Sequence, residues 1–66
     1  MRIVLNGREQ DVDGDATIAD LIAAAGLEGR RIAIEVNREI VPRSDYAARR
    51  LSADDRVEVV HAIGGG

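Results

Sequence analysis

One stretch of the chain abandons strand periodicity, and it limits the fold more than any other feature. In "DGDATIADLIAAAGLEG", Ile18, Leu21, Ile22 and Ala25 recur at i, i+3, i+4 and i+7, which places them on one stripe of a helix. Thr17 is suited to cap that helix, with Asp20 three residues on in a weak capping box. Gly26 suits the left-handed position after the last turn, and Leu27 supplies the apolar contact that accompanies it. The spacing predicts a helix of about ten residues. It has one apolar face, so it must lie on something. In 66 residues the other elements are short extended runs, so the helix covers a sheet.

The strands follow from alternation. In "RIVLNGREQDV" two runs meet at Asn6-Gly7, a dipeptide suited to a type I′ turn because both central residues need positive φ. Arg2 to Leu5 and Arg8 to Val12 are expected to pair antiparallel, with Ile3 and Leu5 on one face. "RRIAIEVNREIVP" gives a third strand, in which Ile32, Ile34 and Val36 alternate with Ala33 and Glu35. A turn over Asn37 to Glu39 leads into a short fourth strand, Ile40-Val41, which Pro42 stops and confines to a sheet edge. "RSDYAARRLSADD" is irregular, with Ser44-Asp45 placed to cap one helical turn through Tyr46 and Ala48. In "RVEVVHAI" Val57 and Val59 face one way. Val60 breaks the alternation, as at a bulge or in a strand buried on both sides. The order β-β-α-β-β-β specifies an α+β fold of ubiquitin-like β-grasp type: a mixed sheet of about five strands, one main helix on one face, and the first and last strands parallel in the middle. The domain is expected to span residues 1–63, with 64–66 a flexible C-terminal glycine tail.

Aliphatic packing has to hold such a domain, which buries only about 60% of its unfolded surface. There is no cysteine, and hydrophobic residues make up 45%, with Tyr46 the single aromatic. The net charge of −3 argues against a nucleic-acid partner. All nine cationic residues are arginine, which removes Schiff-base chemistry and any lysine-linked chain on this protein. No run approaches the ~20 apolar residues of a membrane span, and Asn6 and Gly7 interrupt any signal-peptide core. The expected setting is cytoplasmic, with no membrane partner.

Candidate sites fall away one by one. Asp11, Asp13 and Asp15 alternate as in a calcium loop, but Ala16 stands where glycine is needed and Ile22 where a bidentate glutamate is needed. They read as a solvated strand end and helix-start carboxylates favoured by the dipole. His61 is the only histidine, expected on the face opposite Val57 and Val59 or beside a bulge. With no cysteine and no Ser-Asp partner it suits contact with a protein rather than catalysis. "GLEGRR" lacks the lysine and spacing of a phosphate loop and reads as a helix stop. Arg30-Arg31 and Arg49-Arg50 are solvated pairs or parts of a docking surface. No nucleophile, base and oxyanion hole assemble, so the chain is expected not to be an enzyme and to bind no metal or cofactor. What remains is Gly64, Gly65 and Gly66 directly after a central strand. They reach ~10 Å when extended and carry no Cβ, so a narrow channel can admit them.

A β-grasp of this length ending in Gly-Gly resembles the sulfur carrier proteins of thiamine biosynthesis, the ThiS family, over essentially the whole chain. The most specific internal piece is "VNREIVPRSDY", where Asn37, Val41, Pro42, Arg43 and Tyr46 match the family pattern; the aromatic there is often tryptophan, so Tyr46 is a mild departure. The resemblance implies that a ubiquitin-activating-type adenylyltransferase (ThiF-like), using ATP and magnesium, adenylates the Gly66 carboxylate. Sulfur from a cysteine desulfurase then gives a C-terminal thiocarboxylate, and thiazole synthase (ThiG-like) takes the sulfur. Gly64 and Gly65 would lie in the partner's channel. The body would dock through the sheet face away from the helix, near Val60, His61, Ala62 and Ile63. The molybdopterin synthase small subunit shares tail and chemistry but is usually longer. A ubiquitin-like modifier, and an interaction module with an inert tail, are the other readings.

Overall fold

The computed structural model describes residues 1–61. The expectations for Ala62, Ile63, Gly64, Gly65 and Gly66, and the boundary between residues 63 and 64, lie outside the described residues. Two strands open the chain, β1 (Arg2–Leu5) and β2 (Arg8–Asp11), paired antiparallel with Leu5 opposite Arg8. The two-residue turn between them has Asn6 at φ 49° and Gly7 at φ 82°, as a type I′ turn requires. Val12 falls one residue past β2, although its N–H still donates to the Met1 carbonyl at 2.8 Å.

The helix α1 is Ile18–Ala24, seven residues rather than about ten. Both ends are closed tightly, which accounts for the difference. At the start, Thr17 and Asp20 form a reciprocal capping box. The N–H groups of Ile18 and Ala19 donate to the carbonyls of Arg49 and Tyr46. The first-turn donors that a helix ordinarily leaves open are therefore satisfied. At the other end Gly26 sits at φ 74°; its N–H donates to Ala23 and that of Leu27 to Ile22, the paired bonds of a Schellman closure. The closure takes Ala25 out of the helix and leaves it exposed, so it does not extend the apolar stripe; Leu27 packs on the core instead.

Three strands complete the sheet: β3 (Ile32–Val36), β4 (Glu39–Val41) and β5 (Arg56–His61). The β3–β4 hairpin is tighter than expected: Glu39 belongs to the strand and only Asn37 and Arg38 make the turn, at φ 52° and 72°. The following 3-10 turn, Arg43–Asp45, begins one residue after Pro42 and has no side-chain cap, so Ser44 and Asp45 do not cap it. The strand order is β2-β1-β5-β3-β4, with β1 and β5 parallel and the other pairs antiparallel. This is the ubiquitin-like β-grasp arrangement, with Pro42 just past the edge strand β4. Ile3, Ile34, Val36, Val41 and Val57 on one sheet face meet Ile18, Leu21 and Ile22 of α1, with Ala16 and Leu51 completing the core. Fully burying each such side chain contributes about 1.5–3 kcal/mol.

The β3–β5 ladder runs without interruption from Val36 opposite Val57 to Ile32 opposite His61. There is no bulge at Val60, and β5 is not buried on both sides. Val60 lies on the open sheet face opposite Ala33 and is 51% exposed. His61 also departs from expectation. By the period of two it shares the helix-side face with Val57 and Val59, not the opposite one.

Candidate functional site

The strand leading to the glycines is held from both sides by asparagine side chains. β1 pairs with β5 only at Val4–Arg56 and Leu5–Val57, then turns away. Asn6, in the turn, continues the ladder: its N–H donates to the Val57 carbonyl at 2.9 Å, and its Oδ1 accepts from the Val59 N–H at 2.8 Å. On the other side, Asn37 occupies the equivalent place in the β3–β4 turn. Its N–H donates to the Arg56 carbonyl at 2.8 Å, its Oδ1 accepts from the Arg56 N–H at 3.0 Å, and its Nδ2 donates to Asp55 Oδ1 at 3.0 Å. Asp55 is buried, 9% exposed, and its second oxygen accepts from the Ser52 N–H at 2.8 Å. A carboxylate in this position is tolerable because both oxygens are bonded.

Asn37 thus fixes the start of β5 and Asn6 its later half. β5, the last described strand, is therefore held along both flanks. The asparagines were visible as turn formers, but their second role was not. Its signal is that each turn places Asn, rather than Gly, at the first central position: Asn tolerates αL and its side-chain oxygen can accept a ladder N–H.

Two surfaces flank this strand. On the open face, Glu35 and Glu58 stand directly opposite each other, between exposed Ile40 and Val60 at 72% and 51%. Like charges so placed are destabilising in an isolated sheet. Towards β2 the same face carries Arg2, whose Nε is 3.3 Å from Asp11 Oδ1 and whose Nη1 is 3.4 Å from Glu9 Oε1. The hydrogen bond and charge of Asp11, then Glu9, hold its guanidinium pKa still higher than usual. On the helix side, a groove lies between α1 and the start of β3, and Arg30, Arg31 and Arg43 line it. The expected docking residues therefore divide: Val60 is on the open face and His61 is on the helix side beside Ile32.

Among the described residues, no group of three or more His, Cys, Asp or Glu is placed to hold a metal, so Asp11, Asp13 and Asp15 do not converge. No helix among them is long and apolar enough to cross a membrane. The Arg49–Leu51 segment is used structurally. Arg50 bridges to Thr17, and the Leu51 N–H donates to the Ala16 carbonyl at 2.9 Å.

Comparison with known proteins points in one direction. The chain is 38% identical over 63 residues to the sulfur carrier protein ThiS of Bacillus subtilis, covering 94% of this chain and 96% of that one. It is 39% identical over 66 residues to the thiazole synthase of Paramagnetospirillum magneticum, but spans only 20% of that protein's length. The crystal structure of the thiamine biosynthesis protein ThiS from Geobacter metallireducens superposes with a TM-score of 0.86 at 26% identity, covering 100% of both chains. SAMP1 from Haloferax volcanii shares the fold, with a TM-score of 0.60 at 23% identity over 98% of this chain and 97% of that one. The ThiS family model matches residues 3–66, a span that takes in both anchoring asparagines and all three final glycines. With the β-grasp order and this match over nearly its whole length, the chain belongs to the ThiS family.

Proposed function

We propose that this chain is a sulfur carrier of thiazole formation in thiamine biosynthesis, with the Gly66 carboxylate as the reactive group and no catalysis of its own. The observation that carries the reading is the family match through Gly66, together with a β5 anchored from both flanks just before the tail. A carboxylate is a poor acyl electrophile. A ThiF-like adenylyltransferase, holding ATP and magnesium, supplies the leaving group: a carboxylate oxygen attacks the α-phosphate, pyrophosphate departs, and an acyl adenylate forms. A persulfide sulfur from a cysteine desulfurase then forms the C–S bond as AMP leaves. A second thiol cleaves the resulting acyl disulfide, ending in a disulfide itself, and the thiocarboxylate is left on Gly66. The acceptor is a ThiG-like thiazole synthase. Two thiazole synthases contain a segment 39% identical to this chain within one polypeptide, and this supports a direct working relationship.

The energetics demand docking by the body. Ordering Gly64, Gly65 and Gly66 costs ~3–6 kcal/mol, and glycine has little area to offset it. The open face around Ile40 and Val60 is the surface offered to the adenylyltransferase.

Deleting Gly65 and Gly66 should abolish ATP–pyrophosphate exchange with the adenylyltransferase while the melting temperature stays unchanged. Full exchange by the shortened chain would sink the reading and favour an inert tail. In protein isolated from sulfur-replete cells, intact mass should show a fraction in which sulfur replaces one oxygen on the last residue. Gly66→Ala should fold normally and lose most sulfur transfer.

A further inference from the structure

β1 leaves the sheet before β5 does, and one side chain makes up the difference. The parallel pairing covers only Val4–Arg56 and Leu5–Val57, whereas β5 continues four residues further, to His61. Odd-numbered residues of β5 turn their backbone groups towards β1: the Val57 carbonyl accepts from the Asn6 N–H at 2.9 Å. Val59 is the next residue on that side, and there β1 has already ended and the chain turns at Asn6 and Gly7. The Val59 N–H is met instead by Asn6 Oδ1 at 2.8 Å. Asn6 therefore serves as two strand residues, one through its backbone and one through its side chain. On the opposite flank β3 stays paired, with Val60 across from Ala33 and His61 across from Ile32.

Asn6 differs from Asn37 in what depends on it. Asn37 bonds the buried carboxylate of Asp55. The Asn6–Val59 bond is exposed, so water can take the Val59 N–H in its place and the fold loses little. The turn itself needs only a residue that accepts positive φ, as glycine does. What the side chain adds is a hold on β5 two residues beyond the last β1 pairing. His61 is five residues from Gly66, a span of at most ~17 Å, and Val57 is nine, at most ~30 Å. If β5 frays back to Val57, the terminal group is offered over a longer and less directed stretch, and its effective concentration at a partner's active site falls. We infer that Asn6 is a positioning residue for the carrier reaction: through Val59 it holds the second half of β5 in the sheet, and so limits the length of chain over which the Gly66 carboxylate is offered. The inference rests on the carrier reading but is tested apart from it.

The experiment compares two variants of the full chain. Asn6→Gly keeps the turn and deletes the side-chain acceptor; Asn6→Asp keeps both, because a carboxylate oxygen accepts in the same place. Asn6→Gly should melt close to the parent, while its Val59 amide exchanges with solvent about tenfold faster. In ATP–pyrophosphate exchange with the adenylyltransferase its kcat should fall by about threefold or more, since the terminal carboxylate is offered less often. KM for the carrier should stay within about twofold, because Ile40 and Val60 remain laddered to β3. The loss is one of rate per folded molecule, unlike that of a variant weakened elsewhere in the body. Asn6→Asp should restore both Val59 protection and kcat. Normal kcat in Asn6→Gly would overturn the inference, as would unchanged protection of Val59. An equal loss of kcat in Asn6→Asp would overturn it too, since the acceptor is still present there. A rise in KM alone would make Asn6 a docking residue and defeat the positioning role. If the parent chain itself supports no exchange, the carrier reading fails instead.

Discussion

Asn37 and Arg38 sit side by side in one turn, both at positive φ, and they demand opposite expectations. Arg38 gains nothing from its backbone conformation and, among the described residues, has no side-chain partner. Replacing it with glycine relieves a left-handed strain of roughly 1–2 kcal/mol, part of which returns as chain entropy. Arg38→Gly should therefore raise the stability measured in urea by about 0.5–1 kcal/mol. Asn37 uses backbone and side chain together, and its loss strips Asp55 of one buried bond and the Arg56 N–H of its acceptor. Asn37→Ala should cost about 2–3 kcal/mol in the same titration, because buried polar groups are left unpaired. If the two substitutions changed stability in the same direction, the division of labour described here would be wrong.

At the level of elements, a seven-residue helix is too short to persist by itself and depends on its ends and its packing. Thr17→Ala removes an acceptor from the capping box and should lower stability by about 1 kcal/mol. Gly26→Ala places a Cβ in open space but at φ 74°, so its cost, roughly 1 kcal/mol, comes from backbone strain rather than collision. Thermal melts of the two variants against the parent check both. This is also the scale at which the sequence was most readable. Helix spacing, the Asn-Gly turn and Gly26 are local signals, and each found its element. What local pattern could not supply was register across distant strands. The extra apolar residue Val60 looked like a bulge, yet it is simply an exposed valine on a regular ladder. His61 was assigned the wrong face for the same reason. The Asn6–Val59 bond joins residues 53 apart, and no local pattern announces such a contact.

For the molecule as a whole, stability and recognition pull against each other on the open face. Glu35 and Glu58 repel across the β3–β5 ladder. Glu35→Gln should stabilise the fold by about 0.2–1 kcal/mol, yet weaken docking of any partner that brings a cation there. Val60→Asp should lower stability by about 1 kcal/mol, since the side chain is half exposed but lies on a central strand near Glu58, while slowing ATP–pyrophosphate exchange several-fold in the folded protein. Exchange at the parent rate would move the adenylyltransferase to another surface. The Gly66 chemistry is a proposal that rests on family resemblance in the sequence, whereas the cleft lined by Arg30 and Arg43, far apart in the chain, emerges only from the fold.

The position of β5 has a consequence for how delivery can fail. It joins two hairpins that otherwise share no strand pairing, so losing it splits the sheet into β1–β2 and β3–β4. Amide hydrogens of Val57 and Val59 should therefore exchange with solvent only through global unfolding, at the slowest rates in the chain. If the chain carries sulfur as proposed, it is either whole and able to hand over its cargo, or unfolded. A weakened variant should thus lose throughput by losing competent molecules, while each surviving molecule works at the normal rate.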